Sequence, residues 1–202
     1  MNTAQDMRKG QRTRSHILKT AMGLFNTKGY HATSIADIVI ASGVQKGNLY
    51  FYFTSKEDLA LALLDEAHEL YMAYLGSHAG GAKGLGKLEK VLAAIVEYHE
   101  SRSFMGGCIF CNIALEMADQ NPRFRQSVLR VFDAWSALFT GLLEEAMSQG
   151  ELPATLSPER LARHIIAALE GGIMLSRLTK DKADIINSID SIHMLLHTEK
   201  QA

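Results

Sequence analysis

Side chains suited to contact nucleic acid are concentrated between residues 33 and 59 of this 202-residue chain. The amide of Gln45 can pair in bidentate fashion with an adenine edge, and Asn48 can donate or accept at a base or a phosphate. Gly47 would let the backbone approach a sugar-phosphate chain closely. Tyrosine hydroxyls and a lysine can reach phosphate oxygens, which position a protein without reading sequence. The predicted DNA-contacting residues are Thr33, Gln45, Lys46, Gly47, Asn48, Tyr50, Tyr52 and Lys56.

The four aromatic residues at positions 50–53 can also be interpreted as part of a hydrophobic core. Consecutive side chains of one helix point in different directions, so all four cannot face the same core. One or two of them must lie at the surface. We expect these to be Tyr50 and Tyr52, with their hydroxyls on phosphates.

Three helices are predicted to position these side chains. Apolar residues at helical spacing predict a first helix over about residues 11–28, ended by Gly29. Thr33 and Ser34 can cap the next helix with their hydroxyls. Gly43 fits a turn that requires positive φ. The short segment 45–53 that follows can be held by Leu49 and Phe53, and two short helices joined by a tight turn place a recognition helix in the major groove.

The composition favours a globular all-α protein. Apolar residues make up 47% of the chain and charged residues 21%, and there are three prolines. No apolar run reaches the roughly 18 residues of a spanning helix, and the N-terminus lacks the apolar core of a secretory signal. The two cysteines, three residues apart, form no disulfide framework. These features predict a cytoplasmic location.

The net charge of −1 hides an asymmetry along the chain. Residues 1–56 contain eight Lys or Arg and two acidic residues, a net charge of +6, and the remainder carries −7. Phosphate attraction is local, because salt screens charges beyond about 8–10 Å. A merely solvated basic face is the alternative, but the predicted helix-turn-helix favours DNA binding.

The N-terminal pattern resembles the DNA-binding domain of TetR/AcrR transcriptional regulators. The resemblance covers about residues 10–60 and rests on the segments 32–34, 35–38, 42–50 and 53–57. It implies a three-helix DNA-binding domain over residues 1–56 and a ligand-binding and dimerisation domain of roughly six helices over residues 57–202. Gln45 replaces a usual serine and Tyr52 a usual histidine, so the operator sequence cannot be inferred by analogy.

The least polar stretch of the chain, residues 104–116, contains two cysteines and two polar residues. Asn112 and Glu116 must hydrogen-bond to the core or meet a ligand, because buried polar groups need partners. Cys108 and Cys111 are either packed as small apolar side chains or reactive at the start of a helix. The resemblance extends here to a subgroup in which a cysteine near this position senses electrophiles or oxidants.

A ligand pocket between helices is the interpretation that the resemblance favours for the aromatic and sulfur-containing residues of the C-terminal part. A filled core is the alternative for each of them individually. The predicted ligand-binding residues are Tyr98, Met105, Cys108, Cys111, Asn112, Glu116, Phe132, Trp135, Phe139 and Met174.

Two apolar seams predict a homodimer through helices at about 157–178 and 182–198. Leu161, Ile165, Leu169 and Ile173 form one seam, and the last helix carries a second. The second consists of Ile185, Ile189, Ile192 and Leu196. A stripe this apolar on a terminal helix indicates burial against another copy of the chain, which is also where the resemblance places the dimer interface.

The resulting functional hypothesis is a homodimeric, ligand-responsive repressor that binds a near-palindromic operator and is released by a small-molecule inducer. A redox or electrophile sensor acting through Cys108 is the alternative. We predict no enzymatic activity, because no pair of titratable groups has catalytic spacing apart from possible use of Cys108 or Glu116. A DNA-binding scaffold without an inducer is a further alternative. We expect no metal, since two cysteines do not complete a tetrahedral site, and no other cofactor.

Overall fold

A computed structural model describes the backbone of residues 3–198 and the side chains of residues 9–196. Arg8, one of the basic residues counted above, has its side chain outside this part of the chain. In residues 3–198 all helices are α-helices and no strand occurs. The helices are α1 (Thr3–Lys28), α2 (Ile35–Ser42), α3 (Lys46–Tyr52), α4 (Lys56–His78), α5 (Gly84–Glu100), α6 (Ile109–Met117), α7 (Pro122–Ser148), α8 (Pro158–Thr179) and α9 (Ala183–Thr198).

These elements confirm the predicted all-α class, with three N-terminal helices followed by six more in the described residues. Helix α1 begins at Thr3, about two turns earlier than predicted. Its end at Lys28 agrees with the sequence, because Gly29 has a φ of 90°. Left-handed backbone of this kind is disfavoured for residues with a β-carbon.

The chain divides into two compact units that are not contiguous in sequence. Unit 1 consists of Met1–His68 and Ile109–Val128, and unit 2 of Glu69–Cys108 and Leu129–Ala202. Unit 1 therefore contains α1 to α3, the start of α4, all of α6 and the start of α7.

Unit 1 has a core made of side chains from each of its helices. Ile17 and Phe25 of α1, Ile38 of α2 and Leu49 of α3 are almost completely buried. Phe124, from the first turn of α7, is also buried. Burying a side chain of this size contributes roughly 1.5–3 kcal/mol. Because α2 and α3 are only eight and seven residues long, this packing is what keeps them helical.

Unit 2 is organised around the antiparallel pair α8 and α9. Helix α8 starts at the predicted N-cap, Ser157, whose hydroxyl accepts a hydrogen bond from the backbone of Arg160. It ends before Lys180, which has a φ of 58°. The hydroxyl of Ser176 accepts a hydrogen bond from the backbone N–H of Ile185 at 3.1 Å, which fixes the entry into α9.

The predicted seams are buried within the single chain, and this corrects their assignment to the dimer interface. Ile165, Leu169 and Ile173 of α8 are buried, as is the whole α9 seam of Ile185, Ile189, Ile192 and Leu196. Helical spacing reports that a stripe is buried, but it does not report which partner buries it. Here the covering surface belongs to the same chain, and the contact between α8 and α9 is a large part of it.

None of the helices in residues 3–198 combines the length and apolarity needed to cross a membrane.

Replacing Gly172 by alanine is expected to destabilise unit 2 by about 1–3 kcal/mol through overpacking. A β-carbon at Gly172 would lie 2.9 Å from the Cα of Ile185 and 2.7 Å from the hydroxyl of Ser188. Gly141→Ala in α7 is the matched control, because a β-carbon there meets nothing within 4 Å. The control is expected to gain about 0.5–1 kcal/mol from helix propensity. Urea unfolding measures both, and equal effects in the two variants would contradict the close approach of α8 and α9.

Candidate nucleic-acid interface and ligand site

Local sequence signals determine the positions of α2 and α3. The hydroxyl of Ser34 accepts a hydrogen bond from the backbone of Asp37, and the Asp37 carboxylate accepts one from the backbone N–H of Ser34, which forms a capping box. Gly43 has a φ of 67° and donates its backbone N–H to the carbonyl of Val39 at 3.0 Å. Gln45 then precedes α3 in an extended conformation. The predicted helix-turn-helix is therefore present.

Most of the predicted contact residues on α3 lie at the protein surface. Gln45, Lys46, Gly47, Asn48 and Tyr50 are all exposed. A β-carbon at Gly47 would meet nothing within 4 Å, so the backbone is open to close approach. The amine of Lys46 lies 6.0 Å from the centre of the Tyr50 ring, which places a charge and a phenol on the same side of the helix.

The aromatic run 50–53 differs in part from the expectation. Phe53 is buried and Tyr50 is exposed, but Tyr52 is half-buried. Its hydroxyl lies against α1, 3.4 Å from the position of a β-carbon at Gly10. Phe51, to which the sequence assigned no role, is 81% exposed. Its position two residues from both Leu49 and Phe53 is the signal that could have identified it as an outward-facing side chain.

Two of the predicted DNA-contacting side chains instead donate hydrogen bonds to backbone carbonyls within unit 1. Thr33 is completely buried, and its hydroxyl donates to the carbonyl of Gly29 at 2.7 Å. The amine of Lys56 donates to the carbonyls of Tyr30 and Thr33, both at 3.0 Å. It also lies 4.2 Å from the centre of the Tyr30 ring. Burial lowers the pKa of Lys56, and the nearby Glu116 carboxylate opposes this shift.

Glu116 of α6 binds the turn between α1 and α2. One carboxylate oxygen accepts the backbone N–H of Tyr30 and the other that of His31, each at 3.0 Å. A β-carbon at Gly29 would lie 2.9 Å from the Glu116 carboxylate, and a φ of 90° there excludes most other residues as well. Glu116 therefore has protein partners, which is one of the two outcomes expected for it.

Aromatic packing holds the same turn from other directions. The ring of Tyr30 lies edge-on to Phe25 at 5.3 Å and to Phe124 at 5.0 Å between ring centres. Burial raises the pKa of Tyr30, and the Glu57 carboxylate adds to this shift. The ring is therefore a neutral packing element between α1 and α7. We call Glu116, Lys56, Tyr30 and Phe124 the turn clamp.

Polar contacts also tie the starts of α4 and α7 together within unit 1. The guanidinium of Arg123 donates to Glu57 at 2.6 Å and to Asp58 at 3.1 Å. The side-chain amide of Asn121 donates to Glu57 at 3.0 Å. These groups are partly exposed, so each contact contributes little to stability, but together they fix the register of the two helix starts.

The basic charge available to DNA is smaller than the sequence count suggests. Arg14 is paired with Glu66 at 2.8 Å and Lys28 with Asp37 at 3.5 Å. The amine of Lys56 lies in the turn clamp. Among the side chains described in α1 to α3, Lys9, Arg12, Lys19 and Lys46 are exposed basic groups in addition to Lys28.

The predicted ligand-binding residues fall into both units. Cys111, Asn112 and Glu116 belong to unit 1, and the amide of Asn112 donates to Asn26 of α1 at 3.2 Å. The other seven belong to unit 2. Among these, Met105 and Met174 are more than half exposed, whereas Phe139 is buried.

An aromatic cluster forms the centre of the predicted ligand site within unit 2. Tyr71 lies 4.8 Å from Tyr98 and 5.5 Å from Trp135 between ring centres, and Phe132 lies 5.2 Å from Trp135. The hydroxyl of Tyr74 donates to the carbonyl of Ala94 at 3.1 Å. The sequence interpretation missed Tyr71 and Tyr74. Both lie on α4, and their separation of three residues places them on the same side of that helix.

Two titratable groups of this aromatic region, Tyr71 and His99, are neutral near pH 7, and the Arg102 guanidinium lies 3.9 Å from the centre of the Tyr98 ring. Burial, with a smaller effect of Cys108, raises the pKa of Tyr71 well above its usual value. Burial and the Arg102 guanidinium lower the pKa of His99 to about 4. The buried centre of the cluster around Tyr71 is thus suited to apolar or aromatic groups, because a buried charge would need a partner.

The two cysteines lie in different surroundings. Cys108 is buried and Cys111 is half-buried. Burial of Cys108 favours the packing interpretation, since reactive thiols are at least partly accessible. Among the described residues, no group of three or more His, Cys, Asp or Glu side chains is arranged to hold a metal ion.

Comparison with known proteins matches both parts of the chain. The family model described as bacterial regulatory proteins of the tetR family matches residues 17–63, and that of the tetracyclin repressor-like C-terminal domain matches residues 84–191. The transcriptional regulator AcuR of Cereibacter sphaeroides is 30% identical over 80% of this chain and 75% of its own. The transcriptional repressor DhaR of a Mycobacterium species is 26% identical over 84% of each chain.

Solved structures show the same similarity. The crystal structure of a TetR transcriptional regulator from Chloroflexus aurantiacus has a TM-score of 0.84 and 35% sequence identity. The match covers 92% of this chain and 94% of that one.

Replacing Glu116 by alanine is expected to destabilise the protein by about 1–3 kcal/mol, because two backbone donors lose their acceptor. The amides of Tyr30 and His31 are expected to exchange with deuterium faster than in the wild type. Leu115→Ala on the same helix is the control, since Leu115 is 83% exposed, and it is expected to leave both measurements unchanged. Undiminished protection of the two amides in Glu116→Ala would show that the carboxylate does not hold the turn.

Proposed function

Because the chain belongs to the TetR family of transcriptional regulators, we propose that it is a cytoplasmic repressor that binds a near-palindromic operator as a homodimer. A small-molecule inducer bound by the C-terminal part releases the DNA. The observation that carries this proposal is the exposed polar surface of α3, which follows a capped α2 and a left-handed Gly43. An exposed helix of this kind, held by a buried core on one side, is suited to the major groove.

Base reading is assigned to the N-terminal half of α3. Gln45 and Asn48 have the donors and acceptors for base edges, and the open backbone at Gly47 allows close approach. Lys46 and Tyr50 are assigned to phosphates. The hydroxyl of Tyr52 lies beside α1, so we assign Tyr52, with Thr33 and Lys56, to support of the helices.

Dimerisation is assigned to the outer faces of α8 and α9. These faces carry apolar side chains that the single chain leaves exposed. They are Met174, Leu175, Leu178, Ile186, Met194 and Leu195. A patch of this kind marks an interaction surface. The buried seam on the inner side of each helix would then support the interface without forming it.

The inducer is assigned to the aromatic cluster of unit 2 around Tyr71, Tyr98 and Trp135. Its rings offer stacking surfaces, and the hydroxyls of Tyr71 and Tyr98 are hydrogen-bond donors. An inducer releases DNA only to the extent that it binds the released state more tightly. Trp135 is the single tryptophan of the chain, so its fluorescence reports directly on occupancy of this cluster.

We retain a functional division near residue 56, with DNA contact before it and ligand binding and dimerisation after it. The exception is the segment Ile109–Val128, which belongs to unit 1. We assign that segment to support of the helix-turn-helix.

Replacing Lys46 by alanine is expected to weaken DNA binding and to reduce its salt dependence. Each lysine–phosphate contact contributes about 0.9 to the slope of log K against log salt, so a dimer loses roughly two such contributions. Gln45→Ala is expected to cost about 30-fold or more in affinity, since the dimer loses one base contact of at least about 1 kcal/mol in each half-site. Fluorescence anisotropy with DNA selected from a random pool measures both. Lys83→Ala, an exposed lysine of unit 2, is the control, and an equal effect there would contradict the assignment to α3.

Replacing Leu178 by arginine is expected to convert the dimer into a monomer at micromolar concentration. Leu178 is 74% exposed in the single chain, so the new charge would be buried only in a dimer. Size-exclusion chromatography with light scattering measures the mass. Leu115→Arg on α6 introduces the same charge at a site that is 83% exposed and is expected to remain dimeric. A dimeric Leu178→Arg variant would place the interface elsewhere.

A further inference from the structure

Phe51 lies at the centre of the outward face of α3. It is 81% exposed, whereas Leu49 and Phe53, two residues away on either side, are buried. A separation of two residues is about 200° around an α-helix, so Phe51 points away from the core. A phenyl ring has neither donor nor acceptor and cannot bond to a phosphate. Any direct contact of this ring with DNA would therefore be an apolar one.

The ring of Phe51 is held in place by its neighbour. Tyr52 meets it edge to face, with ring centres 5.1 Å apart and an angle of 86° between the planes. The hydroxyl of Tyr52 in turn lies beside Gly10 of α1. Single exposed apolar side chains are common at protein surfaces. This one differs because it also contacts a neighbouring ring, which limits the rotamers it can adopt and lowers the entropic cost of contact.

The surroundings of Phe51 on α3 indicate what it can touch. Helical side chains lean towards the N-terminus, so the ring extends over the turn that contains Gly47. A β-carbon at Gly47 would meet nothing within 4 Å, and Asn48 is exposed next to it. The result is a flat apolar surface beside a side-chain amide, on the half of the helix assigned to base edges.

We propose that Phe51 reads thymine by packing its ring against the 5-methyl group in the major groove. Thymine is the base that presents a methyl group there, and phenylalanine is among the side chains that contact it. This inference rests on the proposed function, because it requires α3 to enter the groove. The contact would distinguish thymine from the other bases through its methyl group, in addition to the polar contacts of Gln45 and Asn48. The two residues next to Phe51 are tyrosines, which carry hydroxyls, whereas Phe51 does not.

Uracil substitution in the DNA tests the proposal directly. DNA selected from a random pool by the full-length protein is resynthesised with deoxyuridine at each thymine in turn, which removes only the methyl group. Wild-type affinity is expected to fall about three- to fivefold at one or two thymines per half-site, the effect of burying one methyl group. Phe51→Ala is expected to bind more weakly overall and to show no loss at those same thymines.

Two controls keep the result specific to Phe51. Ile40→Ala on α2 removes a side chain of equal exposure, 80%, and is expected to keep wild-type affinity and the wild-type uracil effect. Lys46→Ala is expected to bind more weakly but to retain the uracil effect. An unchanged melting temperature of Phe51→Ala confirms that it folds.

The outcomes separate this inference from the function on which it rests. If the wild type selects no DNA, the proposed function fails, and the inference fails with it. If the wild type binds DNA but no thymine is sensitive to uracil, only the role of Phe51 is overturned. The same holds if Phe51→Ala retains the uracil effect, which would indicate that another side chain contacts the methyl group. A change in self-association on DNA without a change in the uracil effect would indicate contact with a second copy of the chain.

Discussion

The carboxylate of Glu116 and the amine of Lys56 hold opposite groups of one short turn, and the recognition helix depends on that turn. Glu116 accepts the N–H groups of Tyr30 and His31, while Lys56 donates to the carbonyls of Tyr30 and Thr33. Helix α2 begins at Ile35, directly after this turn, and α3 follows the next one. Helices of eight and seven residues have little stability of their own. Their direction is therefore set by how the turn is held and by the side chains buried beneath them.

In unit 2, the helix pair α8 and α9 has an inner face that is buried and an outer face that is exposed. The inner faces of α8 and α9 are buried against each other, and Gly172 permits the close approach of the two backbones. Their outer faces carry large apolar side chains that the described part of the single chain leaves partly exposed. The inner seam makes the pair a stable platform, so the outer faces are preorganised for association.

The helix-turn-helix could be predicted from the sequence because its signals are local. Ser34 and Asp37 are three residues apart, Gly43 ends α2, and Leu49 and Phe53 lie one turn apart. The turn clamp could not be predicted in this way, because Glu116 is 86 residues from Tyr30. The position of Glu116 in an apolar segment indicated only that its carboxylate needed a hydrogen-bond partner. The exposed Phe51 was overlooked because tyrosine offered a polar reason to face outward and phenylalanine did not.

The α9 seam shows a different limit of sequence interpretation. The four-three-four spacing of Ile185, Ile189, Ile192 and Leu196 correctly indicated burial. The same spacing arises whether the covering surface belongs to the same chain or to another. The less regular exposed set on the outer faces could be recognised only after the inner seam was located in the structure. The aromatic residues of the C-terminal part correctly pointed to the aromatic cluster of unit 2. Asn112 and Glu116 could be placed in unit 1 only once the structure showed that α6 belongs to it.

The discontinuity of unit 1 bears on how such a regulator can be recombined with others. A hybrid gene joined anywhere between residues 69 and 108 would combine one parent's helix-turn-helix with the other parent's α6 and start of α7. Gly29 would then face a foreign residue at position 116, and Tyr30 a foreign residue at 124. Exchange of DNA specificity between two such proteins therefore requires two separate stretches of sequence to be transplanted together. A helix-turn-helix with a single contiguous boundary would be free of this restriction.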